Sequence, residues 1–294
     1  MALITDVAFQ EIMRKRKIRG YVFYGLCLTA VSIGLLMLAA LLYNVLSEGL
    51  TRLSWGFISN FPSRFPERAG IHAALLGSIY VVSIAGVVAF TLGVGAAIYL
   101  EEYAKKGPFA SFIQLNIANL AGVPSIVYGI LGLEIFVRIM EMGKSVIAGG
   151  LTLALLVLPI VIIASSEAIR AVPSSLKEGG FALGATRWQV VRRLTLPYAF
   201  PGILTGAILA VSRAVGETAP LIVMGALTFV PFAPDGPLSR FTVLPIQIFN
   251  WTSRPQEGFH VNAAAGIIVL LVVLLTMNAL AVFLRHKFQK GTRW

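Results

Sequence analysis

The stretch SRAVGETAPL, Ser212 to Leu221, sets Arg213 and Glu217 near the middle of an apolar segment, 201–228. Residues four apart share one face of a helix. An unpaired charge at the centre of a bilayer costs roughly 3 kcal/mol or more, so both side chains must face protein or a watery cavity. Two readings follow. In the first, the pair neutralises itself and fixes helix packing. In the second, Arg213 meets a passing anion, because a guanidinium offers a fork of donors matched to oxyanion oxygens. Glu217 then holds Arg213 when no anion is present and keeps the grip weak, since a deep well in a path stops turnover. The second reading is preferred, because ionisable residues inside a membrane mark pathways. Thr218 is placed on the same path. Gly216 and Pro220 are the expected hinge, opening the helix and freeing backbone groups toward the same cavity.

A second polar set lies in NLAGVPSIVYGILGL, Asn119 to Leu133. Asn119, Ser125 and Tyr128 either line a path or act as glue between helices. Pro124 is a further hinge residue: it breaks the helical ladder and frees the Leu120 carbonyl, four residues earlier. Glu134 and Arg138, also four apart, sit near the end of the same segment and read as a structural pair at the headgroup level. Arg170 reads as a basic anchor, or more weakly as an anion contact. His72, His260 and His286 have no ligand spacing, and Cys27 stands alone, so no metal site is expected. No HExxH, GxSxG or paired intramembrane Asp occurs, which leaves no catalytic chemistry to assign.

The elements that must position these residues are membrane helices. The chain has 294 residues, 57% hydrophobic and 13% charged, with mean hydropathy +0.84. A soluble domain carries roughly twice that charged fraction. Six continuous apolar stretches each exceed the roughly 20 residues needed to span a bilayer core. They fall at about 21–46, 74–100, 110–137, 146–166, 201–228 and 262–284. The predicted fold is an all-α polytopic membrane protein with six transmembrane helices. Its parts are an N-terminal segment 1–20, a transmembrane domain 21–284 and a tail 285–294. The first apolar stretch is too long for a typical signal-peptide core and reads as an uncleaved span.

The net charge of +11 would suggest nucleic acid in a soluble protein, but its distribution points elsewhere. Arg14, Lys15, Arg16, Lys17, Arg19, Lys105, Lys106, Arg170, Lys177, Arg187, Arg192, Arg193, Arg285, Lys287, Lys290 and Arg293 fall on one side. Arg52, Arg64, Arg68, Arg138, Lys144, Arg240 and Arg254 fall on the other, and Arg213 belongs to neither. The positive-inside rule therefore puts both termini in the cytoplasm, with anionic lipid as the surface partner and no nucleic acid. The outer loops, about 47–73 and 229–261, are rich in Pro, Phe and Trp. They read as turns or short helices at the interface.

One inner loop, about 167–200, is long and patterned. Ser175-x-x-Glu178 is a capping-box pattern after Pro173. Gly184 can end that helix in a left-handed conformation. Thr186-x-x-Gln189 is a second capping box, opening a short basic helix that ends before Pro197, with Pro201 opening the fifth span. Two short helices turning at Gly184–Ala185 would display Phe181, Leu183, Trp188 and Val191, with Arg187, Arg192 and Arg193 at the rim. Such a knob fits an apolar groove on a partner. It equally suits the lipid surface.

EGGFALGATRWQVVRRLTLP, Glu178 to Pro197, resembles the EAA loop of ABC-importer permeases. Glu178, Gly179, Gly180, Gly184, Leu194, Leu196 and Pro197 stand in register, with Gly179-Gly180 where that family commonly has Ala-Ala. The Asn119–Leu133 and Ser212–Ala226 stretches, with GSIYVV at Gly77, are similar to the phosphate-importing branch of that family, A-type (PstA) rather than C-type. The resemblance implies an inner-membrane protein of bacteria or archaea that forms half of a phosphate path. It implies a second, PstC-like permease, a PstB-like ATPase pair and an external PstS-like phosphate-binding protein. The coupling residues it implies are Glu178, Gly179, Gly180, Phe181, Leu183, Gly184, Ala185 and Arg187. ATP and Mg belong to the ATPase, and no cofactor is expected on this chain. The GKS at Gly143–Ser145 is not a phosphate loop, because Arg138 stands where the first glycine is needed. A permease for molybdate or sulfate, and a gradient-driven anion carrier, remain the alternatives; a carrier has no use for an EAA loop.

Overall fold

The computed structural model describes residues 2–105, 107–226 and 229–289. Lys106, Lys290 and Arg293 of the charge pattern, the last part of the 285–294 tail, and the end of the fifth expected span at Leu227–Thr228 lie outside the described residues.

The chain is helical, and the helices follow in chain order. α1 is Ala2–Gly49, α2 Trp55–Ser59 and α3 His72–Ile98, which closes in a π-helical turn, Tyr99–Tyr103. α4 is Pro108–Ala121, and α5 is Ser125–Gly132, with a π-helical continuation Leu133–Ile139. α6 is Val146–Arg170, α7 Ser174–Ala182 and α8 Arg187–Val190, which runs through a π turn Val191–Thr195 into α9, Leu196–Gly216. α10 is Ala219–Met224, α11 Leu244–Thr252 and α12 Glu257–Gln289. Among the described residues five helices are long and apolar enough to cross a membrane, or six if the bent pair α4–α5 counts as one crossing. The protein is a multi-pass membrane protein.

α6 is the central helix. α3 lies along it on one side and α9 on another, and α9 in turn meets α12. Small residues permit the close approach: a Cβ on Gly150 would come within 2.6 Å of Ile84, and one on Gly93 within 2.7 Å of Val161. Helices in lipid gain stability from such contacts, because apolar side chains are no worse off in the tails. α1 packs on α12 and is otherwise exposed. It runs without interruption through residue 20, so the basic N-terminal segment is helical with the first span. No Pro or capping residue interrupts it there.

The sequence reading needs correction at four places. The stretch 110–137 is not one helix: α4 and the α5 helix meet at 100° across Gly122–Pro124. The basic helix after Thr186 does not stop before Pro197 but continues through Pro201 to Gly216 as one candidate span, Arg187–Gly216. The π turn accounts for this: Pro197 has no N–H to offer the preceding turn, and the ladder widens there instead of ending. Ser175 and Glu178 form no capping box; α7 starts two residues earlier than such a box would place it, at Ser174 with Pro173 at its N-cap. The outer loops are more than surface. Phe57, Trp251 and Phe259 are buried, with Phe57 and Trp251 rings 5.9 Å apart, so α2, α11 and the start of α12 close a core of their own, while Phe241 is buried in the main core beside Gly149 of α6. Trp55, Phe61, Phe65, Phe229, Phe232 and Phe249 keep the expected exposed character of interface aromatics.

Candidate functional site

Arg213 lies in the last turn of α9, and its Nε donates to Glu217 Oε1 at 3.3 Å. The two do not share a helix face, since α9 ends at Gly216 and Glu217 is extended, with φ −76° and ψ 126°. The carboxylate reaches back to Arg213 from beyond the helix end. The Arg213 side chain is 45% exposed and Glu217 only 17%. No other hydrogen bond to the guanidinium is recorded among the described residues, so its terminal amino groups remain available. Thr218 is half-buried and stands at the N-cap of α10; its hydroxyl reaches the Gly216 carbonyl only at 3.5 Å. Pro220 is buried in the first turn of α10, where the missing N–H costs nothing. The interruption therefore sits at Glu217–Thr218, between the two expected hinge residues. Beside it, Ser212 donates to Asn278 Oδ1 of α12.

The bend in the other polar set brings α5 to this break. Pro124 is the N-cap of α5. The Leu120 carbonyl accepts from Val123 N–H at 3.1 Å and from the Tyr128 hydroxyl at 2.8 Å. Tyr128 is buried. A Cβ on Gly129 would come within 2.7 Å of the Pro220 backbone, so α5 and α10 touch with nothing between them. Ser125, at the head of α5, is half-buried. Asn119, near the end of α4, is exposed. None of Asn119, Ser125 and Tyr128 hydrogen-bonds Arg213 among the described residues. Glu134 and Arg138 pair at 2.8 Å and are both exposed.

The patterned loop folds as a compact turn below α6 and α9. Leu183, Gly184 and Ala185 close α7: Gly184 N–H reaches the Phe181 carbonyl at 2.9 Å and Ala185 N–H the Gly180 carbonyl at 3.1 Å. That bond pair requires a left-handed residue, and Gly184 has φ +78°. The Thr186–Gln189 capping box is formed in both directions. Gly180 is buried against Leu194 and Val190, whereas Gly179 faces open space. Leu183 is 90% exposed, with Phe181 and Trp188 about half exposed. Glu178 and Arg187 are exposed and Ala185 half-buried. Val191, expected on the displayed face, is fully buried instead, because the π turn rotates it toward the bundle.

The end of α3 meets this loop at three successive residues. Glu101 accepts both Arg170 Nε, at 2.9 Å, and Arg170 Nη2, at 2.7 Å. Arg170 also reaches Glu167 at 3.1 Å. Glu102 is buried and takes Lys177 Nζ at 2.5 Å. Arg187 lies over the Tyr103 ring, 5.4 Å from its centroid.

An apolar turn displayed below a helical bundle, and a helix break carrying an ion pair inside it, are the features of a transport subunit. Residues 89–293 match the family of binding-protein-dependent transport system inner membrane components. The chain belongs to that family. Its relatives include the probable ABC transporter permease protein YqgI of Bacillus subtilis, 33% identical over 87% of this chain and 91% of the relative. The phosphate transport system permease protein PstA 1 of Mycobacterium tuberculosis is 31% identical over 96% of this chain and 93% of the relative. In fold, it is similar to a bacterial ABC transporter that imports the polysaccharide alginate, with TM-score 0.63 and 15% identity over 96% of this chain and 99% of that one. The permease is thus an all-α inner-membrane transport component, and its family works with an ATPase and a binding protein. In this permease, the residues that a reading of the sequence passed over are Glu101, Glu102, Tyr103 and Lys177. The only signal was two adjacent carboxylates at the end of an apolar run, which resembles any solvated boundary.

Proposed function

We propose that this chain is the A-type membrane permease of an ATP-driven phosphate importer. The observation that carries the proposal is Arg213 at the α9–α10 break. Its Nε is held by one carboxylate, its side chain is nearly half exposed, and its remaining donors are open. In this reading phosphate takes the open amino groups and repels Glu217. Departure of the anion restores the pair, so binding stays shallow. The contact is a single long one to a guanidinium that is nearly half exposed, so an anion can displace it. Tyr128 and Pro220 set the neighbouring backbone, with Thr218, Ser125 and Asn119 further along the path. The PstA name carried by several relatives supports phosphate as cargo.

The displayed face of α7 and α8 docks on a PstB-like ATPase, which holds ATP and Mg; this chain binds no cofactor. A PstC-like permease supplies the other half of the path, and a PstS-like protein delivers phosphate from outside. Both termini and α7 face the cytoplasm, and lipid covers the outer flanks.

The test is ATP-dependent uptake in vesicles of the complete complex, comparing labelled phosphate, sulfate and molybdate, with and without the external binding protein. Phosphate uptake that needs both ATP and the binding protein is expected. Preference for sulfate or molybdate would reassign the cargo. Uptake that persists without the ATPase would replace the proposal with a gradient-driven carrier.

A further inference from the structure

Glu101, Glu102 and Tyr103 themselves belong neither to the proposed path nor to the docking face. They join α3 to three separate parts of the loop: Glu101 to Arg170 at the end of α6, Glu102 to Lys177 within α7, and Tyr103 to Arg187 at the start of α8. Three consecutive residues of an α-helix fan widely around its axis. Here Ala104 N–H bonds the Tyr99 carbonyl at 2.8 Å, five residues back, and this wider winding turns less per residue. The π turn narrows that fan, and Glu101, Glu102 and Tyr103 each meet a different part of the loop. Beneath them Ala97, Ile169, Val172, Ala199 and Ile203 form a buried apolar layer that seats the same helix ends.

We infer that the π turn 99–103 is a clamp that couples α7 to α3, giving ATPase motion a second entry into the bundle beside the continuous α8–α9 helix. The Glu102–Lys177 pair is its centre. Glu102 is buried, and a buried carboxylate that loses its cation is left strongly unfavourable, so α7 is not free to move without α3. Arg170 bound twice by Glu101 resists rotation as well as separation. Glu102 and Lys177 are positioning residues: they touch neither the anion nor the nucleotide. α3 lies along α6 and also meets α9, so displacement entering through the clamp reaches the helix carrying Arg213 from a second direction.

The inference rests on the proposed ATP-driven transport, and the experiment separates the two. The complete complex is reconstituted in vesicles, and both ATP hydrolysis and labelled phosphate uptake are measured. Wild-type vesicles without ATP-dependent uptake would count against the proposed function and leave the clamp to be read from the hydrolysis response to the binding protein. Glu102→Gln keeps the shape and removes the charge. It is expected to leave the ATPase bound and its basal hydrolysis intact, while stimulation by the binding protein and uptake per ATP fall about five-fold or more. Lys177→Gln should do the same, and the reversed pair Glu102→Lys with Lys177→Glu should recover most of both. Wild-type stimulation and uptake per ATP in the single variants overturn the clamp. So does a reversed pair that fails to assemble or remains as uncoupled as the single variants, because the contact would then serve folding alone.

Discussion

At the scale of single residues, the open guanidinium makes the sharpest predictions. Arg213→Gln is expected to assemble normally and to abolish phosphate uptake, measured in vesicles alongside a pull-down of the ATPase. Arg213→Lys keeps the charge but loses the planar fork, so uptake should persist at reduced apparent affinity. Glu217→Gln removes the competitor for Arg213. The concentration for half-maximal uptake and the maximal rate should then fall together, and a rise in the maximal rate would refute the competition. Arg213 and Glu217 were legible in the sequence because charges in an apolar run are conspicuous. Their geometry was not, since nothing in the spacing says that a helix stops between them. Glu102 and Lys177, 75 residues apart, were invisible because only the packing of α7 under α3 joins them.

At the scale of elements, the turns and bends were half legible. The left-handed Gly184 and the Thr186–Gln189 capping box are local chemistry, and both formed as written. The Ser175 box did not, because Pro173 already caps the helix two residues earlier. Gly184→Ala forces a side chain into the left-handed region at a cost of about 1–2 kcal/mol, and the bulkier Gly184→Trp should uncouple hydrolysis from uptake. Docking and transport that both survive Gly184→Trp would remove this loop from the coupling route. In the bend, Tyr128→Phe deprives the Leu120 carbonyl of its second donor. A loss of about 1 kcal/mol is expected, read as a lower melting temperature of the purified complex with the α4–α5 bend retained. Six apolar stretches predicted six spans, with hinges at Pro124 and at Gly216 and Pro220; the 100° size of the α4–α5 break was hidden because Pro124 announces an interruption without giving its angle.

At the scale of the whole molecule, sidedness and docking are tested together. Cysteines placed at Leu183 and Arg16 should react with a membrane-impermeant maleimide from the cytoplasmic side, and one at Trp55 from the outer side. Binding of the ATPase should protect position 183 and leave position 55 unchanged. Reaction of positions 16 and 183 from opposite sides would overturn the orientation. The unbroken helix Arg187–Gly216 has one further consequence. At 1.5 Å per residue it is a rod of about 45 Å. Part-way along, Gly202 and Gly206 bring it against Ala168 and Ala164 of α6, with a Cβ on Gly202 only 2.7 Å from that of Ala168. A rod held at that crossing has unequal arms, roughly 22 Å toward Arg187 and roughly 10 Å toward Arg213. Displacement at the long arm arrives at the short one reversed in direction, reduced about two-fold and increased in force. The gearing suits a site whose ion pair needs only a small separation to exchange partners.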